Sequence, residues 1–176
     1  MTTFDEHSPC RRRRAFTGAD SRGAARGRPT LPQRYLTEAA QAIASAAARF
    51  PQLTRFGWES ESGEPLKASC VATSLAYLDA GPVVRLSPNG GRNWTSSYLL
   101  KHRAEDWGRV LELEPYIANG DLICAALWRR VPYRREPTAS PNCRLALRVL
   151  RSEIGACEEP HARRIARLLR SNRALL

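Results

Sequence analysis

His102 is the one histidine inside the core that this 176-residue chain is expected to form, and its helical stretch also carries Tyr98, Lys101, Glu105 and Asp106. An imidazole with a carboxylate one turn away can take a proton from water, a hydroxyl or a thiol. The four-residue step from His102 to Asp106 puts that carboxylate on the same helix face. His102, Glu105 and Asp106 are therefore the candidate catalytic residues, with Asp106 orienting the imidazole. Ser96, Ser97 and Cys124 are the nucleophiles that a fold would have to bring to them. The same spacing is common in purely structural helices and no motif specifies a reaction, so the expectation leans away from an enzyme.

Metal chemistry has less support. The five cysteines (Cys10, Cys70, Cys124, Cys143 and Cys157) contain no C-x-x-C pair. Cys143, Cys157 and His161 lack a fourth ligand at a zinc-like spacing. No metal and no cofactor is expected. An odd number of scattered cysteines also argues against a disulfide framework and suits a reducing cytoplasm.

Charge is the strongest signal. The formal net charge is +11, and 26 of the 28 basic residues are arginine, Lys67 and Lys101 being the exceptions. Residues 1–34 carry eight arginines against Asp5, Glu6 and Asp20, whereas residues 35–128 are slightly acidic. Residues 129–176 carry twelve arginines against four glutamates. Arginine pairs bidentately with phosphate, so basic ends around a near-neutral middle point to a polyanion.

Two arginine ladders give that expectation a geometry. A helix opened by Ser140-Pro141 would align Arg144, Arg148 and Arg151 at i, i+4 and i+7. A last helix after Glu159-Pro160 would align Arg163, Arg167 and Arg170 opposite Ile165, Leu168 and Leu169. Arg129, Arg130, Arg134 and Arg135 extend the surface. The expected function is a small accessory or regulatory protein binding nucleic acid, DNA first, mainly through phosphates. Tyr133, Trp94 or Trp128 would add stacking on a single strand. The alternatives are an inhibitor or adaptor docking a basic helix on an acidic protein partner, and a hydrolase or nuclease centred on His102.

These residues need a scaffold. Leu36, Ala40, Ile43, Ala47 and Phe50 recur at helical spacing until Pro51, and Val71, Leu75 and Leu78 do so until Gly81-Pro82. Ser96 or Thr95 caps a helix that runs to Trp107 and stops at Gly108, and Asn119 caps another that ends near Arg130. Val83 to Leu86 is too short to assign, with a small edge strand left open, and Val131 to Arg135 is extended. The expected fold is mainly α, a single compact helical domain over 32–155 with at most a minor β hairpin or edge strands. Residues 1–31 form a disordered basic arm and 156–176 a basic amphipathic C-terminal helix. Arg13-Arg14 lacks the apolar stretch of an export signal, and no run approaches the ~18 apolar residues of a membrane span, so a cytoplasmic protein without a membrane partner is expected.

The strings Thr95-Ser-Ser-Tyr-Leu-Leu-Lys-His-Arg-Ala-Glu-Asp-Trp107, Tyr116-Ile-Ala-Asn-Gly-Asp-Leu-Ile-Cys-Ala-Ala126 and Ser140-Pro-Asn-Cys143 together resemble a group of short bacterial proteins of unknown function. That group is associated with plasmids and other mobile elements. The likeness covers residues 94–145. It implies a compact domain in which Tyr98, Lys101, His102, Glu105, Trp107, Tyr116, Asn119 and Gly120 share a surface, and a mobile-element origin.

Overall fold

Alanine at every turn lets α1 (Gln33–Arg49) lie close against its neighbours: Tyr35, Ala39, Ala42 and Ala46 are its buried stripe. The computed structural model describes residues 31–58, 63–81, 83–88, 94–136 and 139–150. After α1 a tight antiparallel pair forms from β1 (Leu53–Thr54) and β2 (Gly57–Trp58). It is followed by α2 (Ala68–Ala80), in which every residue from Cys70 to Tyr77 is buried. The later helix α4 (Asn119–Trp128) is likewise buried from Asn119 to Ala126. Helices apolar on all sides belong in the middle of a fold, and α2 and α4 pack on each other there. The amphipathic helices α1 and α3 (Ser97–Val110) flank them.

The strands build a second part of the fold. β3 (Val83–Arg85) pairs antiparallel with β7 (Leu147–Val149). β4 (Thr95–Ser96), β6 (Cys143–Leu145) and β5 (Tyr133–Arg135) form an antiparallel sheet with β6 in the centre. Half of the described residues are helical and 17% lie in strands, in three small sheets, so the fold is a mixed αβ architecture and the expectation of a mainly α domain is corrected.

The correction centres on residues 143–149, expected to be a helix. Cys143, Leu145 and Leu147 are buried while Arg144 and Arg148 are exposed. The apolar set fits period two as well as it fits a helix, and β4, β5 and β3 supply the hydrogen-bonding partners that decide between them. Two helix ends also differ. α3 continues through Gly108 to Val110, and Gly108 makes room for the Glu114 carbonyl, which lies 2.8 Å from where a Cβ would be. The N-cap of α4 is Ala118, and the Asp121 carboxylate accepts the Ala118 N–H at 3.3 Å.

Two glycines join the halves. Gly120 donates its N–H to the Arg55 carbonyl at 2.8 Å, and a Cβ there would overlap the Thr54 carbonyl. Gly57 has φ 126°, a conformation open mainly to glycine, and lies against the Pro141 carbonyl. Asn119 Nδ2 reaches that same carbonyl at 2.8 Å and Asn142 Oδ1 at 3.1 Å. No described helix is long and apolar enough to cross a membrane.

Candidate functional site

The α3 helix starts where Ser96 Oγ accepts the Tyr98 N–H, and it buries Leu100, Ala104 and Trp107. One step around the helix from that stripe, Lys101 and Glu105 are pulled into the interior, at 8% and 6% exposure. A buried carboxylate requires donors, and Glu105 has three. Its Oε1 accepts from Lys101 Nζ at 3.2 Å and from the Ile117 N–H at 3.1 Å. Its Oε2 lies 2.8 Å from His102 Nδ1. A carboxylate at Nδ1 fixes the tautomer with the proton on that nitrogen and leaves Nε2 as the basic one. The Tyr98 ring meets the imidazole edge to face at 4.6 Å.

Glu105, not Asp106, is therefore the orienting carboxylate. Asp106 is exposed and pairs with Arg109 at 2.8 Å. The expected nucleophiles are committed elsewhere. Ser96 caps α3, Ser97 Oγ accepts the Cys143 N–H at 3.1 Å, and Cys124 is buried in α4 with its thiol pushed up to about 12 by desolvation. A cavity of about 290 Å³ lies away from the imidazole, between α1 and α4, lined by Ala46, Phe50, Cys124, Leu127 and Arg130 among others. Of the expected nucleophiles, all of them described, none is presented to the His102 cluster.

A second buried carboxylate works from the other side of the same loop. Asp121 is fully buried, and it accepts the Lys67 N–H at 2.9 Å and the Ala118 N–H, with Arg55 Nε at 3.7 Å. Desolvation outweighs these donors and pushes its pKa up to about 6. Beside it, the Cys70 thiol donates to the Tyr116 carbonyl at 3.3 Å, and burial raises that thiol to about 11. Glu105 and Asp121 together clamp successive backbone N–H groups at Ile117 and Ala118.

The arginines sort into two kinds. Arg129 is a structural tie: its guanidinium meets Asp79 at 2.7 Å and Glu38 at 2.6 Å, joining α4 to α2 and α1. Arg134 and Arg144 stand directly opposite each other on β5 and β6, with Ser96 opposite Arg144 on β4. Cross-strand partners share a sheet face, so two exposed guanidinium groups lie side by side. Arg134 covers the Trp94 ring at 4.6 Å, and Arg144 Nη1 donates to the Trp94 carbonyl at 3.4 Å. Neither has an acidic partner among the described residues.

No family model, curated protein or solved structure matches this chain. Arg148 is exposed on β7, Arg130 is exposed just beyond α4 at φ 54°, and Arg135 is exposed and covers the Trp58 ring at 4.8 Å. Arg144 and Arg148 do not form the expected helical ladder, since they lie on successive strands. Arg151, Arg163, Arg167 and Arg170 fall outside the described residues. Of the residues that the resemblance groups together, Tyr98, Lys101, His102, Glu105 and Tyr116 do cluster. Trp107 packs on Tyr77, while Asn119 and Gly120 hold the junction between α4, the β1–β2 turn and Pro141. Sequence reasoning missed Asp121 as a buried group and Arg55 as its neighbour. The Asn-Gly-Asp string signalled a helix start, and only the approach of Lys67 and Arg55 from distant segments buries it.

Proposed function

We propose that the protein binds nucleic acid through its phosphates, as a small cytoplasmic accessory or regulatory factor of mobile-element origin. The observation that carries this reading is the cross-strand pair of Arg134 and Arg144, exposed and without acidic partners among the described residues. Like charges directly opposite on a sheet are unfavourable by themselves, so an anion shared between them would relieve the repulsion. Each guanidinium can hold a phosphate bidentately. The Trp94 ring and carbonyl restrict where the two side chains go, which lowers the entropic cost of ordering them around a ligand. Arg148 on the next strand adds a further cation.

The test is fluorescence anisotropy with labelled oligonucleotides across a salt series. Binding well above that of an unrelated protein of equal charge is expected, with a salt slope that falls by about 0.7 to 0.9 log units for each phosphate contact removed. Arg134→Ala with Arg144→Ala should flatten the slope. An unchanged slope with intact affinity would remove the pair from the interface. Binding no tighter than the control, with saturable capture of an acidic protein instead, would replace the reading.

A further inference from the structure

Tyr98 and Tyr116 are the only exposed aromatic side chains among the described residues, at 53% and 48%. Phe50, Trp58 and Tyr133 pack against one another, and Tyr77 against Trp107. The two exposed rings come from separate elements yet share one cation, since Lys101 Nζ sits 5.4 Å from each ring centroid. Their centroids are thus no further apart than about twice that distance.

The surroundings hold these rings in place. Lys101 is fixed by Glu105, which also holds His102 edge-on to Tyr98 and clamps the N–H of Ile117, the residue after Tyr116. Cys70 donates to the Tyr116 carbonyl, and the Arg55 guanidinium lies 5.8 Å from the Tyr116 ring centroid. A buried polar network therefore holds the segments that carry the two rings. Tyr98 also lies two residues beyond Ser96, the direct strand neighbour of Arg144. Strands ~4.8 Å apart make the row Arg134, Arg144, Ser96 about 10 Å long, and the chain runs from its Ser96 end directly into Tyr98.

Guanidinium groups without acidic partners followed by rigid exposed rings suit a flexible backbone with unstacked bases. We infer that this strip is a binding site for single-stranded nucleic acid, with Arg134 and Arg144 on phosphates and Tyr98 and Tyr116 stacking on unpaired bases. The inference rests on the phosphate-binding reading and adds the strand type and the stacking residues. A duplex keeps its bases stacked on one another, so it offers the arginines phosphates but offers the tyrosines nothing.

The experiment compares a labelled oligothymidylate with a duplex of equal length at the same salt, using the full chain. The single strand should bind about tenfold more tightly. Tyr98→Ala and Tyr116→Ala should each weaken single-strand binding by roughly tenfold and leave duplex binding unchanged. Tyr98→Phe and Tyr116→Phe keep a stacking face and should retain most of the affinity, which separates stacking from the hydroxyl groups. Circular dichroism of each variant verifies the fold. Single-strand binding that depends on Arg134 and Arg144 but not on the tyrosines, or equal losses on the duplex, would overturn the stacking site and leave the phosphate reading standing. Failure of both probes to bind beyond a charge-matched control would overturn both.

Discussion

In the helical half of the molecule, four cations are held against the fold by carboxylates. Arg129 meets Asp79 and Glu38, Lys101 meets Glu105, Arg55 meets Glu64 and Asp121, and Lys67 meets Glu114. In the strand half, Arg134, Arg144 and Arg148 are exposed, and none has an acidic partner among the described residues. The contrast teaches that net charge is a poor locator of a binding surface. Arg129 and Arg134 are five residues apart and equally basic, yet one ties three helices together and the other is free for a partner. An ion pair saturates the donors that a phosphate would need.

The largest test of this contrast lies in the helical half. Asp121 has its pKa raised to about 6 by burial, from an ordinary 3.8. A carboxyl whose folded pKa is raised holds its proton more tightly when folded. Its contribution to stability is therefore full below about pH 4 and is lost as pH rises through about 6, a change of roughly 3 kcal/mol. Urea unfolding at a series of pH values should show this component in the parent chain and lose it in Asp121→Asn. A slope that survives the substitution would assign the effect to other groups.

Next comes the strand half. Arg134→Ala together with Arg144→Ala should lower nucleic-acid affinity by about a hundredfold, from two charge-assisted contacts of about 1.5 kcal/mol each, with little change in Tm. Arg129→Ala is the mirror experiment. It should cost about 2 kcal/mol of stability, between surface and buried ion pairs, and leave the affinity of the folded protein intact. If Arg129→Ala lost affinity at unchanged Tm, the division into tied and free arginines would fail. The smallest effect belongs to the exposed Asp106–Arg109 pair, where Arg109→Ala should change stability by less than about 0.5 kcal/mol in the same unfolding measurement.

Much of the helical half is legible in the sequence, because its signals are local. The spacing of Val71, Leu75 and Leu78, the Ser96 cap and the Asn119-Gly120-Asp121 start all place their helices close to where they are found. The strand half is not legible in that way. Residues 143–149 satisfy two periodicities at once, and the choice is made by β3, β4 and β5, which come from three other places in the chain. The site shows the same division. The helical spacing brings His102 to a carboxylate, but whether Glu105 or Asp106 plays that part depends on Ile117, whose N–H draws Glu105 inward. Tyr98 and Tyr116 are eighteen positions apart, and no local spacing makes them neighbours; only the resemblance groups them.

The central place of β6 also fixes an order of events during synthesis. β4 and β5 both pair with β6 and not with each other, and β3 waits for β7. The helices α1 to α4 are all complete by residue 128, before any of that pairing can start. A chain that has left the ribosome only as far as its fourth helix can collapse around α2 and α4, but Arg134 and Arg144 have not yet emerged. Long-range strand pairing is also the slower kind of contact to form. The arginine pair is thus a late product of folding, and a nascent chain cannot engage a polyanion through it until residues 143–149 have emerged and closed the sheet.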